Sequence, residues 1–371
     1  MNKMRIFTNI ARILVGALFV FSGFIKANDP LGFSYKLQEY FEVFNMNWMI
    51  PLSLFLAIFI CIVEISVGFA LLIGAYRKLT LWLLSLMMIF FTFLTFYSAY
   101  YNKVTSCGCF GDAIPLTPWQ SFYKDIFLSI LTLVLIGGRS NIHALFGKML
   151  EQVTMGLFIV AAIAFPVYTY THLPVIDFRP YKIGTNLYSA SPEHIKVKFF
   201  YKMKNKKTGK TEEFDHFPSD WAEWEQVSSR TEPLNKKVKA IEHFEMQNKN
   251  GDDHRDELLT LPGYSFILVE YDLDKSDKSV QGTVNDFAQL CKKNNVSFVA
   301  LTTSSIEKIN AFKKDADAGY DFYISPDDVP LKAMIRSNPG LVMLKDCVVT
   351  AKWPFRDFPS YSDVKLKYLK K

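Results

Sequence analysis

A helical membrane bundle followed by a soluble region, β-rich at first and then α/β, is the fold class this chain predicts. Three observations carry it. Nearly all long apolar runs fall in the first 175 of its 371 residues. The remainder is charged and reads as soluble. From Pro262 onward, apolar strand-like stretches alternate with helix-like ones, the pattern of a layered α/β sheet. The length suits more than one domain. The expected divisions are residues 1–150 for the bundle, 151–175 for a further span, 176–258 for the β-rich region and 259–371 for the α/β domain.

Crossing the hydrocarbon core takes about 20 helical residues. Five stretches qualify: 6–25, 52–73, 79–100, 121–137 and 153–171. The fourth is short, and Lys124 and Asp125 place its outer turn at the interface. Its start is marked by Thr117, Pro118 and Gln120: an N-cap hydroxyl, proline at the first helical position and a capping-box amide. Lys3 and Arg5, Arg77 and Lys78, and Arg139 and Lys148 all fall on one side, which the positive-inside rule makes cytoplasmic. The loop after the third span and the whole tail then face outward. No small-residue cleavage site follows the first span, so it reads as a retained anchor. In residues 33–48, Phe33, Leu37, Phe41, Phe44 and Trp48 recur at helical spacing opposite Lys36, Glu39 and Glu42. Two readings stand: a helix lying flat on the outer membrane surface, or a loop packed on the bundle.

Ionisable groups inside a span call for partners. Arg12 lies about 10 Å in from one end of the first helix and Glu64 about 13 Å from the same end of the second, at 1.5 Å per residue. A mutual ion pair is expected, either fixing helix register or serving a proton relay. Lys26 and Asp125, both near the outer end, invite a second pairing, unless Lys26 reaches to the headgroups.

The outward loop carries Cys-Gly-Cys-Phe-Gly-Asp, residues 107–112. A one-residue spacer brings two thiols within reach only if the backbone turns sharply, and Gly108 permits that turn. In an oxidising compartment Cys107 and Cys109 would form a small disulfide able to open and close. Of the other cysteines, Cys61 lies mid-span and Cys291 on the apolar side of a helix, whereas Cys347 sits at a hairpin tip and should be exposed. Five is odd, so one sulfur at least stays unpaired in a monomer.

In the tail, a proline-punctuated linker over 173–181 precedes a hairpin, with strands over 195–202 and 211–217 about a turn at 206–209. Further strands are expected over 221–227 and 238–244, then a charged, mobile stretch over 248–257. Strands follow at 264–271, 296–302 and 322–324, with helices at 283–294, 305–316 and 331–336 between and after them. A two-strand hairpin over 337–353 is entered through Pro339.

Two resemblances follow from these residues. The run 12–26, the run 64–74 and the Cys107-Gly-Cys-Phe-Gly loop resemble the DoxX superfamily of four-helix membrane proteins, in the branch related to MauE. The resemblance covers about residues 5–140. It implies a four-helix bundle to which the fifth span is added, an extracytoplasmic dithiol at Cys107 and Cys109, and help with disulfide formation in periplasmic partners. The whole layout is similar to membrane proteins of Bacteroidota that join such a bundle to a periplasmic domain. That implies a bacterial inner membrane with the N-terminus cytoplasmic and the C-terminal domain periplasmic. Residues 260–360 resemble the thioredoxin fold, with Pro339 at its cis-proline position. The departure is that residues 272–282, where Cys-x-x-Cys would stand, hold no cysteine. A groove beside Pro339 would then survive as a partner-binding surface, without disulfide exchange of its own.

Several chemistries are set aside. None of the six histidines lies deep in a span to hold haem. Cys107 and Cys109 lack neighbouring ligands for zinc, so no metal is expected. The net charge of +6 includes membrane-anchoring residues and a basic end at 365–371, which suits headgroups or an acidic partner rather than nucleic acid. Three functions remain. The first is a membrane thiol–disulfide oxidoreductase passing electrons between periplasmic or envelope proteins and an acceptor such as quinone. The second is a non-catalytic scaffold whose thioredoxin-like domain docks partners. The third is transport of a small solute.

Overall fold

A computed structural model describes residues 3–104, 108, 110–190, 197–215, 223–233, 241 and 244–369. The chain divides into two compact units, 1–178 and 179–371.

Six helices build the first unit: α1 (Lys3–Asn28), α2 (Pro30–Val43), α3 (Ser53–Ile73), α4 (Arg77–Tyr101), α5 (Pro118–Gly137) and α6 (Lys148–Thr171). All but α2 are long and apolar enough to cross a membrane. α1 lies against α3, α4 against α5, and α6 against α3. The α5 start is as expected: the Thr117 hydroxyl accepts the Gln120 N–H at 3.3 Å, and the Gln120 amide oxygen accepts the Thr117 N–H at 2.9 Å. Asp29 caps α2 by accepting the Gly32 N–H at 2.9 Å. Phe33 and Leu37 of α2 are buried with Ala57, Cys61 and Ile65 of α3, so this segment is a helix packed on the bundle.

The α1–α3 contact is close because small residues line it. A Cβ on Gly68 would fall 2.8 Å from the Val20 nitrogen and 2.9 Å from the Gly16 carbonyl oxygen. Backbone cannot yield as a flexible side chain does. Packing in a bilayer gains from such close approach, since lipid tails are as apolar as the side chains themselves.

The second unit holds two sheets. The first is antiparallel, in order β2-β1-β3, from β1 (Val197–Asn205), β2 (Thr211–Phe214) and β3 (Trp224–Pro233). The Asn205 carboxamide oxygen accepts the Lys207 and Thr208 N–H groups and holds the β1–β2 turn. The strand expected over 238–244 lies mostly outside the described residues. The stretch 248–257 is held by side chains: Asp253 accepts the Met246 N–H at 2.9 Å, and a short helix α7 (Arg255–Leu259) follows.

The second sheet has order β6-β5-β4-β7-β8. β4 (Tyr264–Val269), β5 (Ser297–Thr302) and β6 (Asp321–Ile324) run parallel, and β7 (Gly340–Lys345) and β8 (Val348–Pro354) antiparallel. Helices α8 (Gln281–Lys293), α9 (Ile306–Asp315) and α10 (Asp328–Met334) connect them, and α11 (Tyr361–Lys367) ends the chain. With the cis Asn338–Pro339 bond leading into β7, the domain is thioredoxin-like. Phe266, Phe287, Phe312, Leu341 and Met343 form its core. α11 takes in residues 365–367 of the basic end; it buries Tyr361 and Val364 in that core and leaves Lys365 and Lys367 outside. Both sheet edges are covered: Gln247 pairs with Ile324 of β6, and Gly184, Thr185 and Leu187 pair with Val349 and Cys347 at β8. Covered edges do not recruit further strands.

Replacing Gly68 by valine should lower the stability of the detergent-solubilised chain by about 1–3 kcal/mol through overpacking. Gly156→Ala, where the added Cβ meets nothing within 4 Å, should leave it unchanged or slightly raised. Thermal unfolding of both variants decides this.

Candidate functional site

The register set by Gly16, Gly23 and Gly68 decides which charges meet. Gly23 lies against Ile65, so Glu64 stands level with Ser22 and Gly23. The Lys26 side chain leans back towards the start of α1, as helical side chains do. Its ammonium donates to Glu64 Oε2 at 2.7 Å, Glu64 Oε1 at 2.9 Å and Ser22 Oγ at 3.1 Å. Those acceptors match the three donors of an ammonium. The Phe91 ring centroid lies 4.6 Å from the same nitrogen. Both side chains of the pair are 3% exposed.

This overturns two expectations. Arg12 does not pair with Glu64: it stands about ten residues, or 15 Å, before Ser22, nearer the start of α1. Its Nη1 donates instead to the His143 carbonyl oxygen at 3.2 Å. Depth counted from helix ends misjudged the offset because α1 and α3 do not end level. Lys26 reaches neither headgroups nor Asp125 but Glu64. Asp125 is 2% exposed. Its Oδ2 accepts the Thr95 hydroxyl at 3.0 Å, and Lys124 Nζ lies 2.7 Å from its Oδ1.

Lys26, Glu64, Lys124 and Asp125 nevertheless line one narrow cleft, with Phe91 and Phe110. It has room for about one water molecule. Phe110 roofs it, buried, with its ring 5.1 Å from Lys124 Nζ. The turn that carries Phe110 is closed by the Gly111 N–H donating to the Gly108 carbonyl oxygen at 3.2 Å. Gly108 has φ +69°, as its place in a sharp turn requires, and a Cβ there would lie 3.3 Å from Lys36 of α2. Cys107 and Cys109 lie outside the described residues. Phe110 covers a buried site with two cations and two carboxylates.

Residues 4–138 match the family model of the methylamine utilisation protein MauE. The MauE-like region therefore spans α1 to α5 and stops before α6. A curated relative, Protein TlpB of Flavobacterium psychrophilum, is 25% identical over 175 residues, 44% of this chain and 47% of the relative. The chain spans about half the length of that relative. The cleft belongs wholly to the MauE-like region, since Phe19, Lys26, Glu64, Phe110 and Asp125 all fall within the matched residues. Sequence reasoning named Lys26, Glu64 and Asp125 but missed Thr95, Lys124 and Phe110 as their partners. Ser22, one turn before Lys26, was a legible signal for the lysine's direction.

In the thioredoxin-like part, residues 272–282 fold into two short turns capped by Asp272 and Asp277. Asn338 ties them down: its Nδ2 donates to the Asp272 carbonyl oxygen at 2.7 Å, and its own carbonyl oxygen accepts the Asp277 N–H at 3.0 Å. Pro339 itself is buried. Neither cysteine of this unit is poised to react. Burial pushes the Cys291 thiol up to about 12, and burial followed by the Asp346 charge holds the Cys347 thiol above its ordinary value. Cys347 is half-buried rather than exposed, with φ +68° at the β7–β8 turn.

Glu270, at the end of β4, was not singled out from sequence. It is fully buried, accepting the Ser276 hydroxyl at 2.9 Å and facing the Tyr320 hydroxyl at 3.4 Å. Burial raises its carboxyl to about 7, against the opposing pull of the Ser276 and Tyr320 hydrogen bonds.

Two predictions follow from these buried groups. Lys26→Met or Glu64→Leu alone should cost about 3–5 kcal/mol by stranding a charge, while the double variant recovers most of the loss; detergent unfolding of all three is the check. For Glu270 the folded value lies above the ordinary one near 4.5, so the proton stabilises the fold. That stabilisation is complete below about pH 4.5 and lost as pH rises through about 7. Hydrogen exchange of β4 amides should report a fall of about 2–3 kcal/mol from pH 5 to pH 8, and Glu270→Gln should flatten it.

Proposed function

We propose that the protein carries out thiol–disulfide exchange at the outer face of a bacterial inner membrane, through Cys107 and Cys109, on envelope proteins recruited by the thioredoxin-like domain. The observation that carries this reading is the cleft beneath Phe110, the residue that follows Cys109 in sequence. Phe110 closes a buried site in which Lys26 and Lys124 stand beside Glu64 and Asp125. Thiolate is the nucleophile in exchange, and nearby cations favour it.

The exchange balances within protein and client. A thiolate of the pair attacks a client disulfide, forming a mixed disulfide and releasing one client thiolate. The second cysteine of the pair then displaces the other client sulfur, and the Cys107–Cys109 bond forms. Two electrons pass to the client, and the two protons lost by the pair neutralise the client thiolates. Run in reverse, the same steps oxidise the client. Reoxidation or rereduction of the pair draws on a further two-electron carrier. The cavities beside Lys26 each have room for about one water molecule, which does not fit a quinone ring. No step here is built through quinone.

A scaffold reading is favoured by one observation. The loop at residues 272–282 is free of thiols and tied to Asn338, so this domain contributes binding without redox chemistry.

Alkylation trapping in native membranes tests the exchange. The pair should take up two alkyl groups after reductant and none after oxidant, with a membrane-impermeant reagent reacting from the outside. A pair fixed in one state under both treatments would sink the proposal. A co-purifying partner retained undiminished by the Cys107→Ser/Cys109→Ser variant would favour scaffolding.

A further inference from the structure

We propose that an open cleft between the start of α4 and the end of α5 binds an anionic phospholipid. The inference is independent of the thiol chemistry, which belongs to the opposite end of these helices. The cleft is open to its surroundings, has a volume of about 600 Å³ and is lined by Arg77, Lys78, Leu81, Trp82, Ile136 and Arg139, with Ser85 at its inner end. Three cations therefore face it, and among the described residues no carboxylate does. The contrast with the cleft beneath Phe110 is direct, because there two lysines meet two carboxylates.

Its geometry separates a polar head from an apolar tail. Arg77 is fixed by donating to the Arg139 carbonyl oxygen at 3.0 Å, and it also lies 3.4 Å from the Ile142 carbonyl oxygen. That holds a guanidinium at the junction of α4 and α5, while Lys78 and Arg139 are exposed beside it. One and two turns further along, Leu81, Trp82 and Ser85 continue the wall along α4, with Ile136 opposite on α5. Trp82 is 63% exposed, and an indole at this depth suits the boundary between headgroup and acyl chain. The nearest acid in sequence contact, Glu151, places its Oε1 3.1 Å from the Tyr76 N–H. Basic pockets between spanning helices recognise phosphate headgroups by charge, and the apolar wall below selects a ligand with acyl chains over free phosphate.

The test uses the full chain in neutral detergent, titrated with phosphatidylglycerol and read by native mass spectrometry. One bound phosphatidylglycerol is expected, with phosphatidylcholine far weaker. Lys78→Gln/Arg139→Gln should weaken phosphatidylglycerol about thirtyfold, at roughly fivefold per cation. Lys78→Arg/Arg139→Lys should retain it. Ser85→Phe, which keeps every charge and fills the inner end, should also weaken binding, so a poorly folding charge variant does not leave the matter open. Unchanged affinity in both weakening variants, equal binding of phosphatidylcholine, or displacement of the lipid by inorganic phosphate at matching concentration would each overturn the proposal.

Discussion

A lysine and a glutamate buried together inside a bundle of apolar helices constrain everything around them. Neither can face lipid as an ion without a large penalty, and neither can be left alone once the other is in place. Lys26 and Glu64 meet only if α1 and α3 approach closely and in one register. Gly16, Gly23 and Gly68 make that approach possible. The ion pair and the glycines are two sides of one requirement: the glycines let the backbones close, and the pair penalises any slip of the helices past each other.

From that register the arrangement at this end of the bundle follows. Glu64 draws the Lys26 head inward, past Ser22 and over Phe91, which leaves Asp125 to find its own partners in Thr95 and Lys124. Two neutralised pairs then line one cleft small enough to stay nearly dry. Phe110 covers it, and the charges beneath are paired rather than exposed.

The second unit is built from different physics. Its sheet is held by an aromatic core and its edges are covered by neighbouring segments of the same chain. The place where a thioredoxin keeps its thiols is filled by aspartate-capped turns tied to Asn338, over a buried Glu270. Its remaining thiols, at Cys291 and Cys347, are held in the protonated form.

Much of this was written in the sequence. Five long apolar runs, the Thr117 capping box and the strand–helix alternation after Pro262 are local signals, because helix length, capping and period depend on residues a few positions apart. So are the missing Cys-x-x-Cys and the proline that enters β7. The identity of the charged residues was also legible, since an ion in a span announces itself. What only the tertiary structure decided was who meets whom. Arg12 and Glu64 looked level when counted from their helix ends, yet the offset between two helices is set by where glycines allow backbones to touch. Charge type is a property of one residue, whereas pairing is a property of the packed interface, and no local pattern encodes it.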